Sequence, residues 1–435
     1  MVIHAEHRHV VNAPEDTVAS VDALKPKPVV IIGAGPAGLF AAEHLANAGC
    51  RVTIYERMQT PARKFLMAGR GGLNLTHSEP VGHLLARYGK QAAPIIQAIE
   101  AFPPAQVINW VHGLGIETFT GSSGRVFPKA MKASPLLRAW LRRLARLGVT
   151  IETRRTWTGF AKDGAVQVAK DDGSIETVRA DAVLLALGGA SWPKLGSDGA
   201  WADVLRKAGI AVTEFEASNA GVLIPWSDTV KSRYQGTPLK RIAIEAGSRR
   251  IRGEAVITST GLEGGAIYAL SREIRDAAKN ETSTITIDLR PDIDLAGLAQ
   301  RLAQGNRKDS LANALRKTAG LSPAAASLLR EAYATPSRDP ATLAGQIKSV
   351  PLRVSAVAGL ERAISTAGGI SLDALDDNFM IKSLPGIFAA GEMLDWDAPT
   401  GGYLLQAAFS TAARAAAGMT EWLEKETQTE ARLTR

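Results

Sequence analysis

The chain has 435 residues, 46% of them hydrophobic and 22% charged, and carries a formal charge of +8. This is an ordinary globular composition with enough chain for two or three domains. A single cysteine, Cys50, excludes an internal disulfide and a C-x-x-C pair, hence a disulfide-reductase mechanism, and fits a reducing cytoplasm.

Residues 1–27 hold no apolar stretch of signal-peptide length and read as a mobile leader, in which His4, His7 and His9 suggest no more than adventitious metal binding. No metal site is expected elsewhere. The segment PVVIIGAGPAGLFAAEHLANAG (28–49) opens with an apolar strand over Val29–Ile32. It turns through Gly33, Gly35 and Gly38, then continues as an alanine-rich helix stopped at Gly49. RVTIYE (51–56) is a second strand. AGRGGLNLTH (68–77) is too rich in glycine for a helix and too polar for a buried strand. Helical pieces follow between 95 and 115, then a turn-rich stretch, TGSSGRVFPKAMKAS. In LLRAWLRRLARLG (136–148), Leu137, Trp140, Leu141, Leu144 and Leu147 recur at helical spacing with arginines between them. That is the pattern of a solvated amphipathic helix rather than an RNA-binding face. Ser134 is its expected N-cap, Pro135 its first residue and Gly148 its stop.

Residues 149–181 read as hairpins around KDG and DDG, leading to an apolar strand over Ala182–Leu187. Strand patterns dominate 220–270 and helical ones 292–348. Strands return to the segment GIFAAGEMLD (386–395), and a long helix is expected from Tyr403 to about Glu424. No apolar run approaches the ~20 residues of a membrane span, and the basic residues are scattered. Neither membrane nor nucleic acid is therefore an expected partner. Oligomeric state is open.

The chemistry begins at Gly33-Ala34-Gly35-Pro36-Ala37-Gly38, a G-x-G-x-x-G directly after a strand and at the start of a helix. The first glycine permits the tight turn, the second lets the backbone approach a pyrophosphate, and the third lets helix and strand pack closely. The N–H groups at the helix start favour the anion. Glu56 ends the second strand 18 residues past Gly38, placed to hydrogen-bond a ribose hydroxyl, with Arg57 beside it. An acid there favours an unphosphorylated ribose, and leaves FAD and NAD both open.

The C-terminal stretch GIFAAGEMLDWDAPTGGYLLQAAFSTAARAA resembles the closing FAD motif of glutathione-reductase-like flavoproteins. RKFLMAGRGGLNLTH, GRVFPKAMKAS, LGGASWPKLGSDG, GEAVITSTGLEGGAIYALS, TAGGIS and GEMLDWDAPTGGYLLQAAF occur in the order typical of the bacterial BaiN-like flavoproteins, also called the aminoacetone oxidase family. The resemblance covers nearly all of 28–425. It implies an α/β fold: a discontinuous Rossmann-like FAD-binding domain, an inserted β-barrel-like domain and a small helical domain. The corresponding boundaries are a leader at 1–27 and an FAD-binding domain at 28–220 and 355–425. The β-rich insert takes 221–285 and 349–354, the helical subdomain 286–348 and a tail 426–435. Ala68, Arg70, Gly72, Leu73 and His77 stand where the family commonly has Ser, Gly, Arg, Cys and Asn, and Leu187 where threonine is frequent. Asn74 and Thr76 are kept. This marks a divergent subfamily.

FAD is thus the implied cofactor, with a small organic substrate such as an amine or enone. A second G-x-G-x-x-G is missing, so reducing equivalents come from the substrate or from NAD(P)H docking transiently. Beyond the first motif, the cofactor-binding candidates are Lys64, Gly71, Asn74, Gly391, Glu392, Asp395, Gly402, Tyr403 and Gln406. His77, Arg70 and Tyr403 are the catalytic candidates, with Arg125 and Lys129 in segments that should meet the ring. The function expected is hydride transfer between substrate and flavin N5. The alternatives are a flavin-holding RNA-binding or regulatory protein and an FAD-dependent RNA-modifying enzyme.

Overall fold

A computed structural model of the chain describes residues 26–89, 92–278, 283–306 and 308–433. All but the last two residues of the expected leader, including its histidines, lie outside these.

Five parallel strands form the central sheet, in the order Ile387–Ala389, Ala182–Leu185, Pro28–Ile32, Arg51–Glu56, Thr150–Thr153. Val29–Ile32 and Ala182–Leu185 are continuous apolar runs because they are buried on both faces. The strand near the C-terminus thus joins a sheet begun at the N-terminus, as expected. Pro36–Asn47 forms the first helix, with Gly35 at its N-cap and Pro36 in its first turn, where a missing N–H leaves no bond unmade. The long final helix, Tyr403–Leu433, packs on it. Phe40 on the first helix and Phe409 on the last meet with ring centroids 5.0 Å apart, and Trp110 and Trp140 extend the cluster. Such aromatic pairs add about 0.5–1.5 kcal/mol each beyond the area they bury.

The insert is a seven-stranded antiparallel sheet, in the order Val350–Val354, Ser283–Asp288, Pro238–Ala246, Arg249–Ile257, Gly261–Glu263, Val222–Leu223, Ala356–Val357. Its two edge strands are separated in sequence by Ser355 alone. The edges must therefore meet, which curls the sheet into a barrel-like form. Four helices follow the sheet's last long crossover: Leu295–Ala303, Leu311–Lys317, Pro323–Ala332 and Pro340–Lys348. Each is opened by a side-chain cap, from Asp294, Ser310, Ser322 and Asp339 respectively. Leu298, Leu328 and Ile347 share one core with the sheet's Ile244, Ile257 and Ile285. The chain leaves and re-enters the first lobe along an antiparallel pair, Val212–Ser218 with Ser365–Ile370.

Both expected hairpins form, with Gly164 and Gly173 at their turns. Four expectations need correction. The arginine-rich helix begins at Ala133, after Lys132, and Ser134 makes no cap bond; Pro135 still falls in the first turn, which needs no N–H. The strand Ser283–Asp288 crosses the boundary set at 286 for the helical subdomain, and Ala356–Val357 pairs beyond the boundary set at 354. The final helix continues to Leu433 instead of fraying from 426, because EKETQTEARL contains neither glycine nor proline and is rich in helix formers.

Candidate functional site

The three glycines of the first loop stand in different surroundings. Gly33 has φ +102°, and a Cβ there would lie 2.4 Å from the Ala186 carbonyl oxygen. A Cβ on Gly38 would lie 2.0 Å from the Gly33 carbonyl oxygen, so that position is closed by packing. Above Gly35 a Cβ would meet nothing within 4 Å. The space lies at the start of a helix whose first N–H groups have no helical acceptor. Glu56 closes the loop: its carboxylate accepts from Ala34 N and Met58 N, both at 2.8 Å. Arg57 pairs with Asp198 at 2.7 Å and keeps a buried Nε without an acceptor.

The second loop is held by the segment that follows it in the site. Gly69 sits on Ala133 and Gly72 on the Met131 methyl; a Cβ on either would approach those atoms within 2.7 Å. Leu73 N donates to Met131 O and Leu75 N to Val126 O, and Thr76–His77 pairs antiparallel with Arg125–Val126. Leu73 and Leu75 are buried, and extended backbone turns Asn74 to the opposite side. There its Oδ1 is buried and has no hydrogen-bond partner among the described residues. Gly71 has open space at its Cβ position. The Arg70 side chain lies outside the described residues.

The C-terminal segment touches both loops. A Cβ on Gly391 would lie 2.8 Å from the Ala37 methyl, in the first loop's helix. Gly402, with φ +105°, presses on Thr76, whose carbonyl carbon would be 2.5 Å from a Cβ there. Thr76 Oγ1 donates to Gln406 Oε1 at 2.6 Å, and Gln406 Nε2 donates to Phe102 O at 2.8 Å. Gln406 is therefore fully engaged as a brace between the loop and the last helix. Lys64 does not stand free for a phosphate: it donates to Glu392 at 2.6 Å and to Ser191 Oγ at 2.6 Å. Glu392 also accepts from Thr366 N. Asp395 accepts from Thr213 Oγ1 at 2.6 Å.

His77 stacks on Tyr403, centroids 5.3 Å apart and planes 17° from parallel. Its Nδ1 faces the Glu79 N–H at 3.1 Å and its Nε2 faces the Ser123 carbonyl at 3.0 Å. A neutral ring protonated on Nε2 satisfies both contacts. The Tyr403 hydroxyl donates to Glu79, which also binds Arg87 at 2.8 Å. Burial and the Glu79 carboxylate push the Tyr403 phenol well up, so it stays protonated. Burial raises Glu79 as well, but the hydrogen bonds from Arg87 and Tyr403 outweigh it and hold the carboxyl below its ordinary value. Lys129 lies apart, exposed and ion-paired with Glu117. Glu79, Arg87, Ser191 and Thr366 contact the candidate residues and were missed by sequence reasoning. Only the position of Glu79, directly after the loop, could have signalled one of them.

A cavity of about 500 Å³ opens beside this cluster, between the two lobes. Arg87, Asn219, Arg249, Tyr268, Arg272 and Asp397 are among its lining residues. Asp397 is held by Ser218 at 2.5 Å and by Arg272 and Arg275, and Asn219 donates to the Ala398 carbonyl at 2.8 Å. These bonds tie the insert to the turn that leads into Gly401.

A family model described as HI0933-like protein Rossmann domain matches residues 27–418. The chain is 25% identical over 399 residues to the ribosomal RNA dihydrouridine synthase of Escherichia coli (strain K12), across 88% of this chain and 95% of that protein. It is likewise 25% identical over 408 residues to the 3-dehydro-bile acid delta(4,6)-reductase of Clostridium scindens, across 89% and 98%. Among solved structures, the 3-ketosteroid delta1-dehydrogenase from Sterolibacterium denitrificans superposes with a TM-score of 0.50 at 13% identity. The superposition covers 91% of this chain and all of that one. At that identity the likeness is one of fold.

Proposed function

Since the chain belongs to the HI0933-like Rossmann-domain family, a family of flavoprotein oxidoreductases, we propose that it binds FAD and exchanges a hydride between the flavin and a small organic substrate. The observation that carries this reading is the convergence of three segments far apart in sequence: Gly391 meets Ala37, and Gly402 meets Thr76. The residues suit the cofactor chemically. The open space over Gly35 admits a pyrophosphate onto helix N–H groups. Glu56 is an acceptor for ribose hydroxyls. Asn74 Oδ1, buried and unmatched, is an acceptor awaiting a donor such as a ring N–H.

Bound FAD supplies the two-electron chemistry; the protein's part is to bind, orient and exclude water. Lys64, Glu392 and Ser191 form one polar cluster, suited to the ribityl hydroxyls. His77 and Tyr403 serve as a stacked wall, since both ring nitrogens of His77 and the Tyr403 hydroxyl are already engaged. Hydride exchange with a neutral amine or a polarised enone needs no free base here. Arg70, on sequence grounds, is the donor that the loop offers to substrate. The interlobe cavity is within the usual range for small-molecule sites, about 300–1,000 Å³.

Purified protein should be yellow and release FAD on denaturation. Anaerobic addition of NADH, NADPH or candidate amines should bleach it. Folded, colourless protein that takes up no added FAD refutes the reading. The relatives carry two substrate classes at equal identity. An RNA-modifying reading therefore keeps a test of its own: flavin-dependent reduction of uridine in ribosomal RNA, with binding that falls steeply with salt.

A further inference from the structure

Half-buried cations are matched by acceptors in folded proteins, because an unpaired ion withdrawn from water loses hydration that nothing replaces. The described arginines follow this rule with two exceptions among those that are partly buried. Arg57, Arg143, Arg155, Arg206, Arg249, Arg272, Arg275, Arg290 and Arg414 each have an acceptor. Arg63 and Arg125 have none among the described residues. Arg63 opens a short helix. Arg125 lies inside the site.

Its position is fixed by backbone. Arg125 is the register partner of His77, and directly paired residues of an antiparallel ladder project on one face. Its strand is paired on both sides, with Thr76–His77 and with Thr118–Thr120. Its Nε would be 3.4 Å from a Cβ on Gly401, the first glycine of the turn that presses on the second loop. Glu79, the nearby carboxylate, is committed to Arg87 and Tyr403. A guanidinium thus stands at the double-glycine turn with no counterion among the described residues. Arg125 is not among the lining of the interlobe cavity, whereas Arg87, Arg249 and Arg272 are. That argues against a role as the substrate's anion anchor.

Resting on the FAD reading above, we propose that Arg125 stabilises the negative charge that reduction leaves on the flavin, and so sets its reduction potential. A hydride from NAD(P)H or an organic donor brings two electrons and one proton to the ring. The donor is oxidised, and one negative charge remains on the ring.

The test compares FAD-loaded wild type, Arg125→Gln and Arg125→Lys by two readouts independent of turnover. These are the dissociation constant for sulfite, which adds to the ring as an anion, and the midpoint potential. Arg125→Gln should weaken sulfite binding about tenfold or more and lower the two-electron potential by roughly 30 mV or more, the equivalent of tenfold. Arg125→Lys should stay within about threefold of wild type. Unchanged sulfite affinity and potential in Arg125→Gln overturn the proposal, as does a change confined to KM for an anionic substrate. If Arg125→Gln takes up no FAD, Arg125→Lys decides: wild-type sulfite affinity supports the role of charge. Tenfold weakening, or loss of FAD there too, overturns it. Wild-type protein without FAD is a separate failure, of the cofactor reading itself.

Discussion

Alanine at Gly35 and alanine at Gly38 add the same methyl group to one loop with opposite expected results. At position 35 the new Cβ meets no atom within 4 Å, and the backbone has φ −80°, open to any residue. Losing glycine at the N-cap costs on the order of 1 kcal/mol. The reduced freedom of the unfolded chain returns about 0.4–1 kcal/mol. Flavin-free Gly35→Ala should therefore melt close to wild type. At position 38 the Cβ would lie 2.0 Å from the Gly33 carbonyl oxygen and 3.3 Å from Ile31 Cγ2. A carbonyl in a turn cannot rotate away. Overpacking at the upper end of its range, about 3 kcal/mol, less about 1 kcal/mol of helix propensity, leaves roughly 2 kcal/mol. The expected loss is about 2–3 °C.

Cofactor inverts the comparison. FAD at a hundred times its dissociation constant stabilises wild type by about 2.7 kcal/mol, a rise of roughly 3 °C at the same conversion. The methyl of Gly35→Ala occupies the space meant for the pyrophosphate, so that variant should show no rise. Calorimetric melting with and without FAD, paired with the flavin content of purified protein, gives the answer. A Gly35→Ala protein that keeps its flavin and its FAD-dependent shift would refute the placement of the phosphates.

Gly402→Ala combines a positive φ with a Cβ 2.5 Å from the Thr76 backbone. It should lose flavin and at least about 2–3 kcal/mol of stability; urea melts showing wild-type stability would contradict the packing. Asn74→Leu removes a buried acceptor that none of the described residues satisfies. Flavin-free protein should be as stable as wild type or gain up to about 1–3 kcal/mol, while FAD affinity falls at least about tenfold; unchanged affinity by fluorescence titration refutes the contact. Glu79 has its folded pKa held below the ordinary 4.5. Its contribution is therefore complete above about pH 4.5 and lost as pH falls through the lower folded value. The Tm gap between wild type and Glu79→Gln should be constant above pH 4.5 and close below it; a gap undiminished near pH 3 contradicts the assignment.

The sequence by itself determined the parallel core and its ligand-facing loop. In that region each function is local: Val29–Ile32 is an uninterrupted apolar strand, and Gly33, Gly35 and Gly38 are separated by the spacing that one turn requires. Helix starts with Asp294, Ser310, Ser322 and Asp339 were equally local, each set by a side chain three residues from the N–H it accepts from. Tertiary structure alone decided what depends on residues distant in the chain. Nothing around Lys64 announces Glu392, 328 positions away, and nothing in GRVFP shows that Arg125 would stand beside Gly401 with no acceptor among the described residues. His77 stood in sequence as a catalytic candidate; the Ser123 carbonyl and the Glu79 amide engage both its nitrogens only because the loop folds back on them. Side-chain pairing of this kind has no periodicity, since the partners are chosen by where the sheet and the insert bring separate backbones together.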